Sequence, residues 1–187
     1  MSSHATHTKD RTVTHSFAVT TVVGNPKRLS RTLTTAEALA AAVAGPGAGT
    51  ASFDLAELYR DGIEPPHGGF EHALDRIRAA QVLVVGTPVY KAAYTGLLKL
   101  FLDQLPPAAL EGTVAVPVTI AASAEHRHLA DLQLRPVLAE LGASLPVPSL
   151  ALREDELPEL DAHLAKWTGA HLPALAAAAR AAEGAAA

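Results

Sequence analysis

The chain contains no cysteine. That excludes disulfides, zinc–thiolate sites, iron–sulfur clusters and thiol nucleophiles together. It also lacks anything like the ~18 consecutive apolar residues that a membrane span requires. Positive charge is not in excess, since Lys and Arg number 15 against 19 Asp and Glu, for a formal net charge of −4. A protein that tracks nucleic-acid phosphates would be basic. Charged residues are 18% and hydrophobic residues 49% of the chain, too apolar for a disordered charged segment. The 187 residues suit one domain with a sizeable core. Met1–His15 is polar, with four Thr and three His, and has no apolar centre of the secretory kind. It reads as a flexible tail over 1–15 of a soluble cytoplasmic protein, ahead of one domain over 16–182 and a frayed end at 183–187.

What is present is an alternation of short apolar runs and helical patterns. Phe17–Val23 is β-branched and reads as a buried strand, broken by Gly24-Asn25-Pro26. Ser30 is placed to cap a helix reaching about Ala44, stopped by Gly45-Pro46-Gly47. Thr50–Leu55 reads as a second strand, and Tyr59–Gly69 as a loop. Phe70–Ala80 has helical spacing, and Val82–Val85 is the clearest strand. Tyr94–Leu105 reads as an amphipathic helix. Val114–Ile120 reads as a strand in which Pro117 calls for a bulge or an edge position. His126–Leu141 reads as a helix kinked or divided at Pro136, Leu145–Leu150 as a weak fifth strand, and Leu157–Ala182 as a last Ala-rich helix.

This order implies a parallel sheet covered on both faces. Five strands suit an α/β fold, the doubly wound, flavodoxin-like order 2-1-3-4-5. Such sheets bind ligands beyond the carboxyl ends of their strands, so the loops after the first, third and fourth strands should converge.

The first of these, Gly24–Thr32, joins a strand to a helix N-terminus, where free N–H groups and a partial positive charge favour phosphate. Ser30 and Thr32 add hydroxyls, and Lys27, Arg28 and Arg31 add cations. It is neither a Walker loop nor a dinucleotide fingerprint. A basic turn with a Ser cap would account for the same residues without a ligand. The second loop, Thr87–Gly96, offers Thr, Pro, backbone amides and two of the three Tyr in the chain, a frame for a flat aromatic ligand. Core or interface packing of Tyr90 and Tyr94 is the alternative. The third, Thr119–Ala124, has small side chains that admit close backbone approach.

Other groups carry less. His126 and His128 are two apart and cannot share a helix face. Glu71 and His72 are adjacent and do not converge. Metal binding through His4, His7 and His15 is the lesser reading of those residues. No metal site and no Ser-His-Asp arrangement is indicated, and Gly-x-Ser-x-Gly is absent. Glu154-Asp155-Glu156 reads as a solvated helix start.

The stretch from Thr87 to Pro106 closely resembles the NAD(P)H-dependent FMN reductase family, most of all the members that serve alkanesulfonate monooxygenases. The resemblance takes in the Gly24–Thr32 loop, apart from Asn25, as well as Gly112–Pro117 and Leu134–Leu138, and covers roughly residues 17–142. It implies a flavodoxin-like fold, with FMN as the flavin and NADPH or NADH as hydride donor. Asn25, Lys27, Ser30, Arg31 and Thr32 would hold the FMN phosphate. Pro88, Val89, Tyr90 and Lys91 would line the isoalloxazine, and Ala121, Ala122 and Ser123 would meet its other edge. Hydride would pass from the nicotinamide to the flavin with no catalytic side chain, Lys91 lending electrostatic help. Reduced FMN would pass to a flavin-dependent monooxygenase. A homodimer or homotetramer, joined through the helix after Tyr94, is implied as well.

Two positions depart from the family pattern. Ile120-Ala121-Ala122 replaces a frequent Thr-Gly-Gly, and its methyl groups narrow the approach of backbone to flavin. Leu132 stands where some sulfonate-linked members carry a Tyr associated with flavin release. Three other readings stay open at this point. One is a quinone- or azo-type reductase with tightly bound FMN. Another is a non-enzymatic FMN electron carrier, whose phosphate loop would usually be uncharged. The third is a scaffold that has lost flavin.

Overall fold

The computed structural model describes residues 16–64 and 68–186. The tail over 1–15, with His4, His7 and His15, lies outside the described residues. Strands β1 (Val19–Val23), β2 (Thr50–Asp54), β3 (Val82–Pro88), β4 (Val114–Ala121) and β5 (Leu150–Arg153) form one sheet. The helices are α1 (Arg31–Ala44), α2 (Leu55–Leu58), α3 (Gly69–Arg78), α4 (Gly96–Leu102), α5 (Leu129–Glu140) and α6 (Leu160–Ala186), with a 3₁₀ helix over Glu154–Glu159. The strand order is β2-β1-β3-β4-β5, parallel throughout. This is the flavodoxin-like arrangement.

Alternation along the strands divides the core in two. Val19, Val23, Val82, Val84, Val116 and Leu150 point to one face, where α1 and α6 cover them with Leu39, Val43, Trp167 and Leu175. Val22, Leu83, Val85 and Ala115 point to the other, under Ile77 of α3, Leu98 and Phe101 of α4, and Leu134 and Leu138 of α5. Each fully buried side chain of this size contributes about 1.5–3 kcal/mol. Both helical layers are therefore fixed by burial, and the strand ends are left to carry loops.

Helix α1 begins and ends where its punctuation dictates. Ser30 Oγ accepts the Leu33 N–H (3.2 Å), and Gly45 leaves the helix at φ 82°. Proline accounts for several differences from expectation. The run 145–150 has a strand's hydrophobicity, but Pro146 and Pro148 cannot donate to a ladder, so after a single bridge from Ser144 to Val114 continuous pairing with β4 starts at Leu150. Pro117 is buried inside β4 and makes no bulge against β3, since the register runs unbroken from Val82↔Val114 to Pro88↔Ile120. The Val114 and Ala115 N–H groups point to opposite neighbours, so alternation turns Pro117 nitrogen away from β3. It faces the side where β5 pairs only from Val118 onward, and no ladder bond is lost. Helix α5 continues through Pro136 without division. Asp54 starts the short α2 inside what reads as strand end and loop, its Oδ1 accepting the Ala56 N–H (3.1 Å). Helix α6 is regular through Ala186, beyond the end at Ala182 read from composition.

Candidate functional site

The loops after β1, β3 and β4 meet at the carboxyl edge of the sheet. Gly24 N–H donates to Gly86 O (2.9 Å), and Val89 N–H donates to Ile120 O (2.8 Å). The Thr95 hydroxyl donates to Gly24 O and also caps α4 by accepting the Leu98 N–H (3.2 Å). Thr87 Oγ1 accepts the Thr95 N–H (3.1 Å). Buried Thr95 thus bolts the second loop to the first, and Thr87 holds Thr95 in place. Gly24 makes the junction possible, because a Cβ there would lie 2.4 Å from Leu98 Cβ.

In the first loop Asn25, Ser30 and Thr32 are buried, while Lys27, Arg28, Leu29 and Arg31 are exposed. Asn25 Oδ1 accepts the Lys27 N–H (2.9 Å), and its Nδ2 donates to Thr32 Oγ1 (3.1 Å). Its amide is thus engaged in shaping the loop, and Asn25 acts on Thr32 instead of pointing free donors outward. Leu29 adopts φ 48° and donates its N–H to Asp54 Oδ2 (3.0 Å). The Ser30 and Thr32 hydroxyls each accept a hydrogen bond and keep their own proton to give. Leu33 and Thr34 N–H groups are taken by Ser30, which leaves the first-turn amides of Arg31 and Thr32 without a protein acceptor among the described residues. Free donors gathered at a helix start, two of them hydroxyls of buried residues, fit an anion such as a phosphate monoester. The Arg28 guanidinium is drawn to Glu57 and that of Arg31 to Glu154 (2.8 Å), while Lys27 has no ion pair among the described residues.

In the second loop Pro88 is buried, Val89 half-buried, and Tyr90 51% exposed. Tyr90 and Ala93 exchange both backbone hydrogen bonds (2.9 and 3.0 Å) around Lys91 and Ala92, at φ 51° and 63°. This is a tight hairpin turn with two left-handed residues, neither of them glycine, a conformation held under strain. Gln133 Nε2 on α5 steadies it through Ala92 O (2.7 Å). Exposed Tyr90 is free to face a ligand, whereas Tyr94 packs against the core. Lys91 lies on the exposed tip.

In the third loop Ala121 is buried and pairs with Arg153, Ala122 is exposed, and Ser123 is half-buried. The Glu125 backbone N–H and the Ser123 hydroxyl hold the Glu125 carboxyl below the usual carboxylate range. Ser123 is thereby turned toward its own loop.

Asp54 and Glu57 escape sequence reasoning, and Glu154 is read there only as a helix start, yet all three face the first loop. The run Glu154-Asp155-Glu156 does open a helix, with Glu154 and Asp155 exposed, but Glu156 is turned inward, paired with Arg127 and accepting the Arg153 N–H (2.8 Å). His72 packs edge-on against Phe53, with ring centroids 5.6 Å apart, and is structural. His126 and His128 are exposed. Among the described residues, no group of three or more His, Asp or Glu side chains is placed to hold a metal ion.

The family model described as NADPH-dependent FMN reductase matches residues 17–156. The chain is 45% identical over 69 residues to the FMN reductase (NADPH) of Escherichia coli, a match spanning 37% of the chain and 36% of that relative's length. It is 31% identical over 157 residues to the FMN reductase (NADPH) of Pseudomonas aeruginosa, across 76% of the chain and 81% of that protein. Among solved structures, an NADH:FMN oxidoreductase in its apo form is similar with a TM-score of 0.68 at 30% identity, covering 81% of this chain and 88% of that one.

Proposed function

The chain belongs to the NADPH-dependent FMN reductase family, and from that premise we propose that it transfers hydride from NADPH or NADH to FMN and releases reduced FMN to a flavin-dependent monooxygenase. The observation that carries the reading is the set of free donors at the start of α1, where Ser30 and Thr32 are buried. The Ser30 and Thr32 hydroxyls and the Arg31 and Thr32 amides offer protons with no acceptor of their own. In this reading they hold the FMN phosphate. Asn25 fixes the Thr32 hydroxyl, and Lys27 and Arg31 add positive charge at the rim. Pro88, Val89 and Tyr90 line one side of the ring, Ala121, Ala122 and Ser123 another, and Lys91 adds charge near it.

FMN when bound supplies the hydride-accepting ring, so the chain needs no general acid of its own. Its work is to position the flavin, and the bolted loops suit that work by holding backbone donors rigidly at the sheet edge. The link to a monooxygenase draws on the resemblance of Thr87–Pro106 to sulfonate-linked reductases. Assembly into a homodimer or homotetramer draws on the same resemblance, and Tyr94 with Leu97 and Leu100 of α4 remain only partly buried in the single chain. A cytoplasmic location completes the reading. Among the described residues, no helix is long and apolar enough to cross a membrane.

Steady-state oxidation of NADPH and of NADH, with FMN, FAD or riboflavin added, tests it. Turnover that depends on added FMN is expected. Turnover that needs only a quinone or a dye, from protein that purifies yellow, would replace it with the tight-FMN quinone or azo reductase.

A further inference from the structure

Every arginine of the phosphate loop is already answered by a carboxylate from elsewhere in the chain. Arg28 is paired with Glu57 of α2, and Arg31 with Glu154 at the head of the 3₁₀ helix. Asp54, closing β2, accepts the Leu29 N–H. Both arginines of the loop are thus engaged before any anion arrives, Glu57 being shared with Arg60, while Lys27 has no ion pair among the described residues.

A phosphate monoester carries about −1.5 to −2 charge at pH 7. For Arg31 to grip it, the guanidinium must turn from Glu154, and Glu154 then remains at the rim as a like charge. The two side chains are 64% and 49% exposed, so the pair itself holds weakly and exchanges readily. Space for that exchange exists, because Leu29, Arg31, Thr34, Glu154, Leu157 and Leu160 line a hollow of about 400 Å³.

We propose that Glu154 is a resident competitor for Arg31, which keeps FMN affinity low so that the flavin exchanges instead of staying bound. The inference rests on the reading of Gly24–Thr32 as the phosphate seat. Glu154 is an affinity-setting residue that acts through Arg31, with no role in hydride transfer.

Isothermal titration of apo protein with FMN, and separately with riboflavin, tests this in the wild type, Glu154→Gln, Arg31→Ala, the Glu154→Gln/Arg31→Ala double variant and Ser30→Ala. Glu154→Gln is expected to tighten FMN about two- to fivefold at low salt. Riboflavin, which has no phosphate, should bind unchanged. The gain should shrink in 0.5 M salt, by about the screening expected at a Debye length of a few ångströms. It should also shrink when Arg31 is absent. FMN binding that is unchanged or weaker in Glu154→Gln, while Arg31→Ala and Ser30→Ala still weaken FMN over riboflavin, would overturn the competitor and leave the phosphate seat intact. FMN and riboflavin binding alike in the wild type, and in Ser30→Ala, would overturn the seat and the competitor together.

Discussion

Ser30 has two tasks, and they can be separated by measurement. Its Oγ accepts the Leu33 N–H and so caps α1, while its own proton remains available to an anion at the loop. Removing the cap should cost about 1 kcal/mol of stability with no ligand present. Removing the donor should further reduce the stabilisation that FMN adds, since bound ligand raises apparent stability by mass action. Ser30→Ala is therefore expected to lower the urea midpoint of the apo protein, and to lower that of the FMN-loaded protein by more. Equal shifts would assign Ser30 to capping alone. The loop and its Ser30 cap are legible in the sequence because a strand, a turn and a helix start follow one another within a few residues there. The partners of Arg28 and Arg31 are not. Glu57 and Glu154 reach the loop only after β2 and β5 have paired into the sheet, and no local spacing announces them.

The elements hold the site by close approach of backbone to backbone. Between β1 and α4 there is no room for a methyl group at Gly24, whose Cβ would meet Leu98 at its Cβ, Cα and N, at 2.4, 2.8 and 2.9 Å. Backbone atoms cannot swing aside as a side-chain tip can. Gly24→Ala should push α4 from the sheet and stretch the Thr95 hydroxyl away from Gly24 O. Overpacking of this kind typically costs about 1–3 kcal/mol. The expected outcome is a lower urea midpoint together with weakened FMN binding, because the same junction aligns the first two loops. Retained stability with normal FMN binding would show that the helix moves freely. Element order was legible because burial on both faces made β1, β3 and β4 nearly continuous apolar runs. The fifth strand was misplaced because its hydrophobic signal starts in a segment that Pro146 and Pro148 keep from pairing. The four-residue α2 was missed because its cap, Asp54, ends a strand whose pattern hides it.

At the scale of the molecule, the carboxyl edge is closed by charge as well as by packing. Arg127, after β4, donates through Nε to Ala151 O of β5 (3.0 Å) and pairs with Glu156, which also accepts the Arg153 N–H (2.8 Å). One carboxylate therefore links the third loop, the last strand and the approach to α6. Burial pushes the Glu156 carboxyl up, but the Arg153 N–H and the Arg127 guanidinium outweigh it and hold the group below the usual carboxylate range. A carboxylate depressed in the folded state contributes stability that is fully present above its unfolded value of about 4.3, and that is lost as pH falls through the folded value. Wild-type stability from Glu156 should thus be complete at pH 6–7 and decline below about pH 4. Glu156→Gln has no charge to lose. It should be less stable than wild type at pH 7, by up to about 1.5 kcal/mol for a weakened charged hydrogen bond. The difference should narrow steadily as pH falls through the acid range. Urea unfolding of both proteins at pH 7, 5, 4 and 3 reads this directly. Parallel curves across that range would mean that Glu156 does not link these elements through its charge. Converging curves would show that Glu156 contributes acid sensitivity to the sheet's carboxyl edge through its charge.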